Sequence, residues 1–208
     1  MDLFNDLYEG TENILPKDGI VNYYGQIFSD EEVLYLSKKL LEEIPWTNDQ
    51  AIIFGKLITT RRKYAWFGDL PFQYTYSKIT KKALVWNDIL LDIKKRVENI
   101  TEENYNSCLL NLYHTGEEGM SWHSDSEKEL KDKGVIASLS FGAERRFDFK
   151  HRITKEKISI LLPAGSLLVM KGETQTYWFH QLPVSKRIKS FRINLTFRQM
   201  KCEIKKAP

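Results

Sequence analysis

Apolar positions keep two different periods along this chain. Val33, Leu34, Leu36, Leu40, Leu41 and Ile44 recur near every third or fourth residue, behind Ser29, Asp30, Glu31 and Glu32. A hydroxyl followed by carboxylates suits the free N–H groups and positive end of a helix, so a helix is expected from Ser29 to about Ile44. Ala83, Leu84, Trp86, Ile89, Leu90, Ile93 and Val97 form a second stripe and predict a helix from about Thr80 to Glu98. Its lysines and Arg96 read as a solvated face. The stretch up to about Phe28, broken by Pro16, Gly19 and Gly25, reads as an irregular arm.

After Ile100 the period shortens. Strand-like runs cover Ser107–His114, Val135–Phe141, Arg146–His151, Ile158–Leu162, Ser166–Met170, Thr176–Leu182 and Phe191–Gln199, separated by Gly and Pro signals. Many short strands at this spacing favour a sandwich or barrel over a parallel sheet. The fold class expected is α+β, mainly β: a jelly-roll core with flanking N-terminal helices. The 208 residues suffice for one domain, residues 1–208, with residues 1–100 as an N-terminal extension and 101–208 as the core.

Composition narrows this only a little. A hydrophobic fraction of 42% marks a folded chain, and a formal net charge of +3 permits nucleic-acid binding without demanding it. Cys108 and Cys202 make no CxxC or zinc spacing, which points to a reducing compartment. The acidic N-terminus lacks a signal-peptide pattern, and no apolar run reaches membrane-spanning length. A cytoplasmic protein is expected, or a nuclear one in a eukaryote, with a monomer as the default and no membrane partner.

Candidate chemistry begins with the histidines, of which the chain has 4. His123-Ser124-Asp125 sets an imidazole and a carboxylate two residues apart, on one side of an extended backbone. His180, in a later strand, can supply a third ligand. Two histidines and one carboxylate match the facial triad of non-haem iron(II), although a zinc hydrolase can use the same set, and an HxD alone recurs by chance. His114 and His151 read as structural or surface residues.

The segment Arg192-Ile193-Asn194-Leu195-Thr196-Phe197-Arg198 alternates without a break, so Arg192, Asn194, Thr196 and Arg198 share one strand face. An ordinary half-buried strand gives the same alternation. The polar face, however, holds two guanidiniums, an amide and a hydroxyl, and no acid. Arginine's planar fork matches carboxylates in a bidentate way, and burying two such cations requires an anion. A dicarboxylic 2-oxo acid supplies both ends, with its keto-acid end free to chelate iron.

Together the HxD, His180 and the RxNLTFR strand resemble the AlkB family of 2-oxoglutarate- and iron(II)-dependent dealkylases, and the likeness extends forward to Asn22-Tyr23-Tyr24 and Glu42-Glu43-Ile44-Pro45-Trp46. The resemblance implies a double-stranded β-helix core and iron(II), 2-oxoglutarate and O2 as cofactor and cosubstrates. It implies that His123, Asp125 and His180 are the catalytic metal ligands. Asn111 and Tyr113, matching the family's N-x-Y, would help hold 2-oxoglutarate. Arg192 would take its distal carboxylate, with Asn194, Thr196 and Arg198 in support. The chemistry implied is oxidative demethylation of bases such as 1-methyladenine and 3-methylcytosine, releasing formaldehyde. Methylated RNA or protein is the alternative substrate, and a non-catalytic jelly roll holding a metal and an anion is a further alternative.

The front half is similar to the nucleotide-recognition region of the duplex-DNA-repairing members, which makes alkylated DNA, with RNA as the alternative, the expected partner. By that likeness Phe54, before Gly55 and Lys56, is a wedge that fills the gap left by a flipped base, although a buried strand residue is the ordinary reading. Tyr74, Thr75 and Tyr76 would surround the base, although aromatics at alternate strand positions are usually core. Arg62 and Lys63 would meet phosphates, as would Arg145, Arg146, Lys150, Arg152 and the Lys186–Lys189 loop, although surface charge is the default for each. Two departures concern lesion preference. Arg61 stands where those members tend to have proline, and Ser126 replaces an acid after the HxD, leaving Glu127 to contact the base.

Overall fold

A computed structural model describes residue 10 and residues 12–53, 56–76 and 79–201. The expected jelly roll is present as two antiparallel sheets. The larger has seven strands, in the order β1 (Ile20–Gln26), β11 (Ser166–Lys171), β8 (Ile136–Gly142), β13 (Arg192–Arg198), β6 (Ser107–Tyr113), β3 (Lys56–Gly68) and β2 (Thr47–Ile53). The smaller has four, β10 (Lys157–Leu162), β9 (Arg145–His151), β12 (Trp178–Leu182) and β7 (Met120–His123). A separate ribbon pairs β4 (Gln73–Tyr76) with β5 (Ile79–Lys82). Helices α1 (Asp30–Glu43) and α2 (Asp88–Thr101) flank the larger sheet, and α3 (Thr174–Tyr177) is a single turn before β12.

Strand alternation places the site. On β13 the apolar set Ile193, Leu195 and Phe197 is fully buried with Leu40, Leu90, Ile93 and Val97 of the two helices. Each such side chain contributes about 1.5–3 kcal/mol of burial. The polar set therefore faces inward, between the sheets. There Val21, Leu168 and Met170 of the larger sheet meet Phe147, Phe149, Trp178 and Leu182 of the smaller, forming one end of the inner core. The register sets Asn194 beside Asn111 and Ser140, and Arg192 beside Tyr113 and Gly142. Gly142 has φ +80, and a Cβ there would lie 2.4 Å from the Phe191 carbonyl oxygen, so no other residue fits the entry to β13 without distortion.

Several boundaries differ from the sequence reading. Helix α1 starts as expected, with Ser29 and Glu32 forming a reciprocal capping box, but Leu34 and Leu41 are exposed and the buried stripe is Val33, Leu36 and Leu40. Helix α2 begins at Asp88, not Thr80. Thr80, Lys81 and Lys82 pair with β4 instead, and the Asn87 side chain caps the Leu90 N–H at 3.0 Å. Part of the expected irregular arm is strand β1, paired with β11, and the run expected from Thr176 starts as helix, becoming strand at Trp178. Strands from the front of the chain thus close both sides of the larger sheet, β1 at one edge and β2 at the other with β3 just inside it. Among the described residues no helix is long and apolar enough to cross a membrane.

Candidate active site

Pairing of β7 with β12 sets His123 directly opposite His180, and their rings lie 4.2 Å apart between centroids. Asp125 follows in the loop after β7, and one ligand atom from each of the three lies within 4.8 Å of the others. The His123 ring places Nδ1 2.8 Å from the Ser121 carbonyl oxygen. Nδ1–H donates there, which leaves the Nε2 lone pair for a metal. His180 is buried, stacked on Phe147 at 5.4 Å, and its Nδ1 has no hydrogen-bond partner among the described residues. Burial, and then the neighbouring His123, push its pKa down to about 3, so the ring is neutral, the form that binds metals.

Burial works against the charge of Asp125, but the Arg198 guanidinium leads the opposing influences and the carboxyl is held below its usual range. Arg198 Nη2 donates to Asp125 Oδ1 at 2.9 Å. The loop is fixed from behind by Gln175, which carries no recognisable sequence signal, and by Arg152, expected to meet a phosphate but committed here to the loop. The Asp125 N–H donates to Gln175 Oε1 at 2.8 Å, and Arg152 Nη2 donates to Ser124 Oγ at 2.7 Å and to the Gln175 carbonyl at 3.2 Å. Two imidazoles and one carboxylate on the wall of an open cavity fit iron(II) and leave coordination positions free.

The same cavity, about 640 Å³, is lined by Asn111, Tyr113, Arg192, Asn194, Thr196 and Arg198. Arg192 is 2% exposed, and its Nη2 donates only to neutral groups, Ser140 Oγ at 2.9 Å and Asn194 Oδ1 at 2.7 Å. Asn194 in turn donates to Thr196 Oγ1 at 2.8 Å and accepts from Ser138 Oγ at 3.0 Å. Burial lowers the Arg192 pKa to about 10, and its Nε has no partner among the described residues. A guanidinium buried among neutral groups, with a donor to spare, is a site for a carboxylate. Ser138 and Ser140 join this wall only through the sheet register, which the sequence reading did not resolve.

The remaining expected residues divide. Arg62, Ser126 and Glu127 line the cavity. Arg62, however, is already ion-paired with Asp49, a carboxylate that no motif singled out. Arg145, expected to meet a phosphate, is instead 1% exposed and ties loops together by donating to the Pro183 and Glu118 carbonyls at 2.8 and 3.0 Å. Arg146 pairs with Asp148 at 3.0 Å. Phe54 and Gly55 lie outside the described residues, as do the side chains of Lys56, Tyr74, Thr75 and Tyr76, whose backbones belong to β3 and β4. His114 is exposed beside Glu118 at 3.1 Å, while His151 is buried beside Asp18 at 3.2 Å; neither lies in the triad.

Comparison with known proteins agrees with this geometry. Residues 20–198 match the model of the 2OG-Fe(II) oxygenase superfamily. The mouse DNA oxidative demethylase ALKBH2 is 34% identical over 197 residues, covering 89% of this chain and 82% of that protein. The human alpha-ketoglutarate-dependent dioxygenase alkB homolog 3 is 35% identical over 188 residues, covering 86% of this chain and 65% of that protein. The solved structure of OsALKBH1 has a TM-score of 0.58 at 13% identity, covering 89% of this chain and 98% of that one, a likeness that speaks for the fold. The enzyme therefore uses iron(II), 2-oxoglutarate and O2, and the chain belongs to the AlkB family of 2-oxoglutarate- and iron(II)-dependent oxygenases.

Proposed function

We propose that this enzyme removes N-methyl groups from bases in alkylated DNA, such as 1-methyladenine and 3-methylcytosine. One observation carries the reading: the His123, Asp125, His180 cluster and the buried Arg192 row open into a single cavity that continues to a polar, partly acidic wall. Relatives named as DNA oxidative demethylases support the choice of substrate.

In this reading His123, Asp125 and His180 hold iron(II). The bound iron, with 2-oxoglutarate and O2, supplies the oxidation of the methyl carbon, and the reaction returns succinate, CO2, formaldehyde and the unmodified base. The protein supplies position, charge and exclusion of water. Arg192 takes the distal carboxylate of 2-oxoglutarate, with Asn111, Tyr113, Asn194 and Thr196 around it. Arg198 keeps Asp125 ionised and oriented. Asp125 and Glu127 put negative charge near a base that methylation makes cationic, and methylation also weakens pairing and so lowers the cost of extruding the base. Phe54 acts as the wedge, flanked by Gly55 and Lys56, while Tyr74, Thr75, Tyr76 and Ser126 surround the base.

The test is formaldehyde release from oligonucleotides carrying either lesion in single-stranded DNA, duplex DNA or RNA. Release from DNA, lost in His123→Ala and Asp125→Ala, is expected. Phe54→Ala should lower activity on duplex about tenfold and leave single strands unaffected, as expected for a wedge that fills a flipped-out gap. Release from RNA alone would overturn the DNA assignment.

A further inference from the structure

Asp49 of β2 lies in the cavity, yet the reaction described above gives it no role. It is 8% exposed and sits between two cations from other strands. Its Oδ2 accepts from Arg62 Nη2 of β3, and its Oδ1 accepts from Lys81 Nζ of β5 at 2.7 Å. The same Lys81 ammonium lies 3.8 Å from the centre of the Tyr64 ring. Asp49, Arg62, Tyr64 and Lys81 all line the cavity that holds the triad. Burial opposes the Asp49 charge, but Lys81 and Arg62 prevail and hold its carboxyl below the usual range. Arg62 also retains a buried Nε–H with no partner among the described residues, and a substrate acceptor would satisfy it.

The topology gives this cluster its meaning. The β2–β3 hairpin is the edge of the larger sheet, whereas β4–β5 is a ribbon paired with neither sheet. The Asp49 carboxylate bridges them beside the Lys81–Tyr64 contact, and it keeps two like charges together that would otherwise repel. The three groups together keep one net positive charge facing the substrate space.

We infer that Asp49 is a positioning residue for the substrate: it ties the β4–β5 ribbon to the β2–β3 hairpin and holds Arg62 and Lys81 as one cationic unit. The inference rests on the DNA-dealkylase reading. Its test compares wild type with Asp49→Asn, Asp49→Glu, Lys81→Met and the Asn/Met double variant. The readouts are KM and kcat for a methylated oligonucleotide, KM for 2-oxoglutarate, and anaerobic binding of the fluorescent oligonucleotide to the iron-loaded enzyme. Asp49→Asn should raise the oligonucleotide KM and Kd about tenfold, with kcat and the 2-oxoglutarate KM little changed. Asp49→Glu should recover most of the loss, and the double variant should be no weaker than Asp49→Asn alone. An unchanged oligonucleotide KM, a parallel rise in the 2-oxoglutarate KM, or losses that simply multiply would overturn the inference. If Asp49→Asn does not fold, Lys81→Met decides, because a wild-type oligonucleotide KM there contradicts the tie. A wild type that releases no formaldehyde overturns the dealkylase reading, whereas a working wild type matched by Asp49→Asn overturns this inference alone.

Discussion

Arg192 is the residue on which the proposed 2-oxoglutarate site depends most. Its charge is buried among Ser140, Asn194 and Tyr113, none of which neutralises it. Truncating one partner of a buried, hydrogen-bonded charge pair costs about 2–5 kcal/mol, so Arg192→Ala should raise the 2-oxoglutarate KM about 100-fold, measured by succinate formation. Arg192→Lys should recover only part, because an ammonium cannot reproduce the bidentate fork. His180 makes a second test. Its pKa falls from 6.5 to about 3 on folding, so between those values the unfolded chain binds a proton that the folded chain does not. The metal-free protein should therefore lose stability as pH falls from 6.5 toward 3, with little slope from this group above 6.5. Asp125, held low, adds acid sensitivity in the carboxylate range. Unfolding in chelator across that window should give a flatter profile for His180→Gln, and an unchanged profile would contradict the buried neutral ring.

At the scale of elements, legibility followed the strength of local signals. The β13 alternation was plain because each of its residues faces either the helix-covered core or the cavity, with no exposed exception to blur the pattern. The α1 start was plain because the capping box is written in Ser29 and Glu32 themselves. Ser29→Ala should cost about 1 kcal/mol, seen as a melting shift of about 2–4 °C, and activity at ambient temperature should be unaffected. The start of α2 was misread because Ala83 and Leu84 fit its stripe, whereas tertiary pairing pulls them elsewhere: Leu84 N–H donates to the Trp66 carbonyl at 2.8 Å. Strand β1 was hidden by Gly25, which has φ +66 at the point where its register with β11 shifts.

Across the whole molecule, the two sheets are a frame that brings distant chain segments into one cavity. The His123, Asp125 and His180 cluster and the β13 row were readable because each is a short motif with its chemistry in its side chains. Asp49, Gln175, Ser138 and Ser140 were not, since each gains its role only when a neighbouring strand or turn arrives beside it. A single cavity also makes a strong demand on stoichiometry, because the oxidation of 2-oxoglutarate and the loss of the methyl group must occur in the same turnover. The most direct measurement is therefore the yield of succinate and formaldehyde from the iron-loaded enzyme acting on a methylated DNA strand under O2. One formaldehyde should appear for each succinate, with both lost in Asp125→Ala. Formaldehyde formed without 2-oxoglutarate, or rapid succinate formation with the methyl group left in place, would contradict the account.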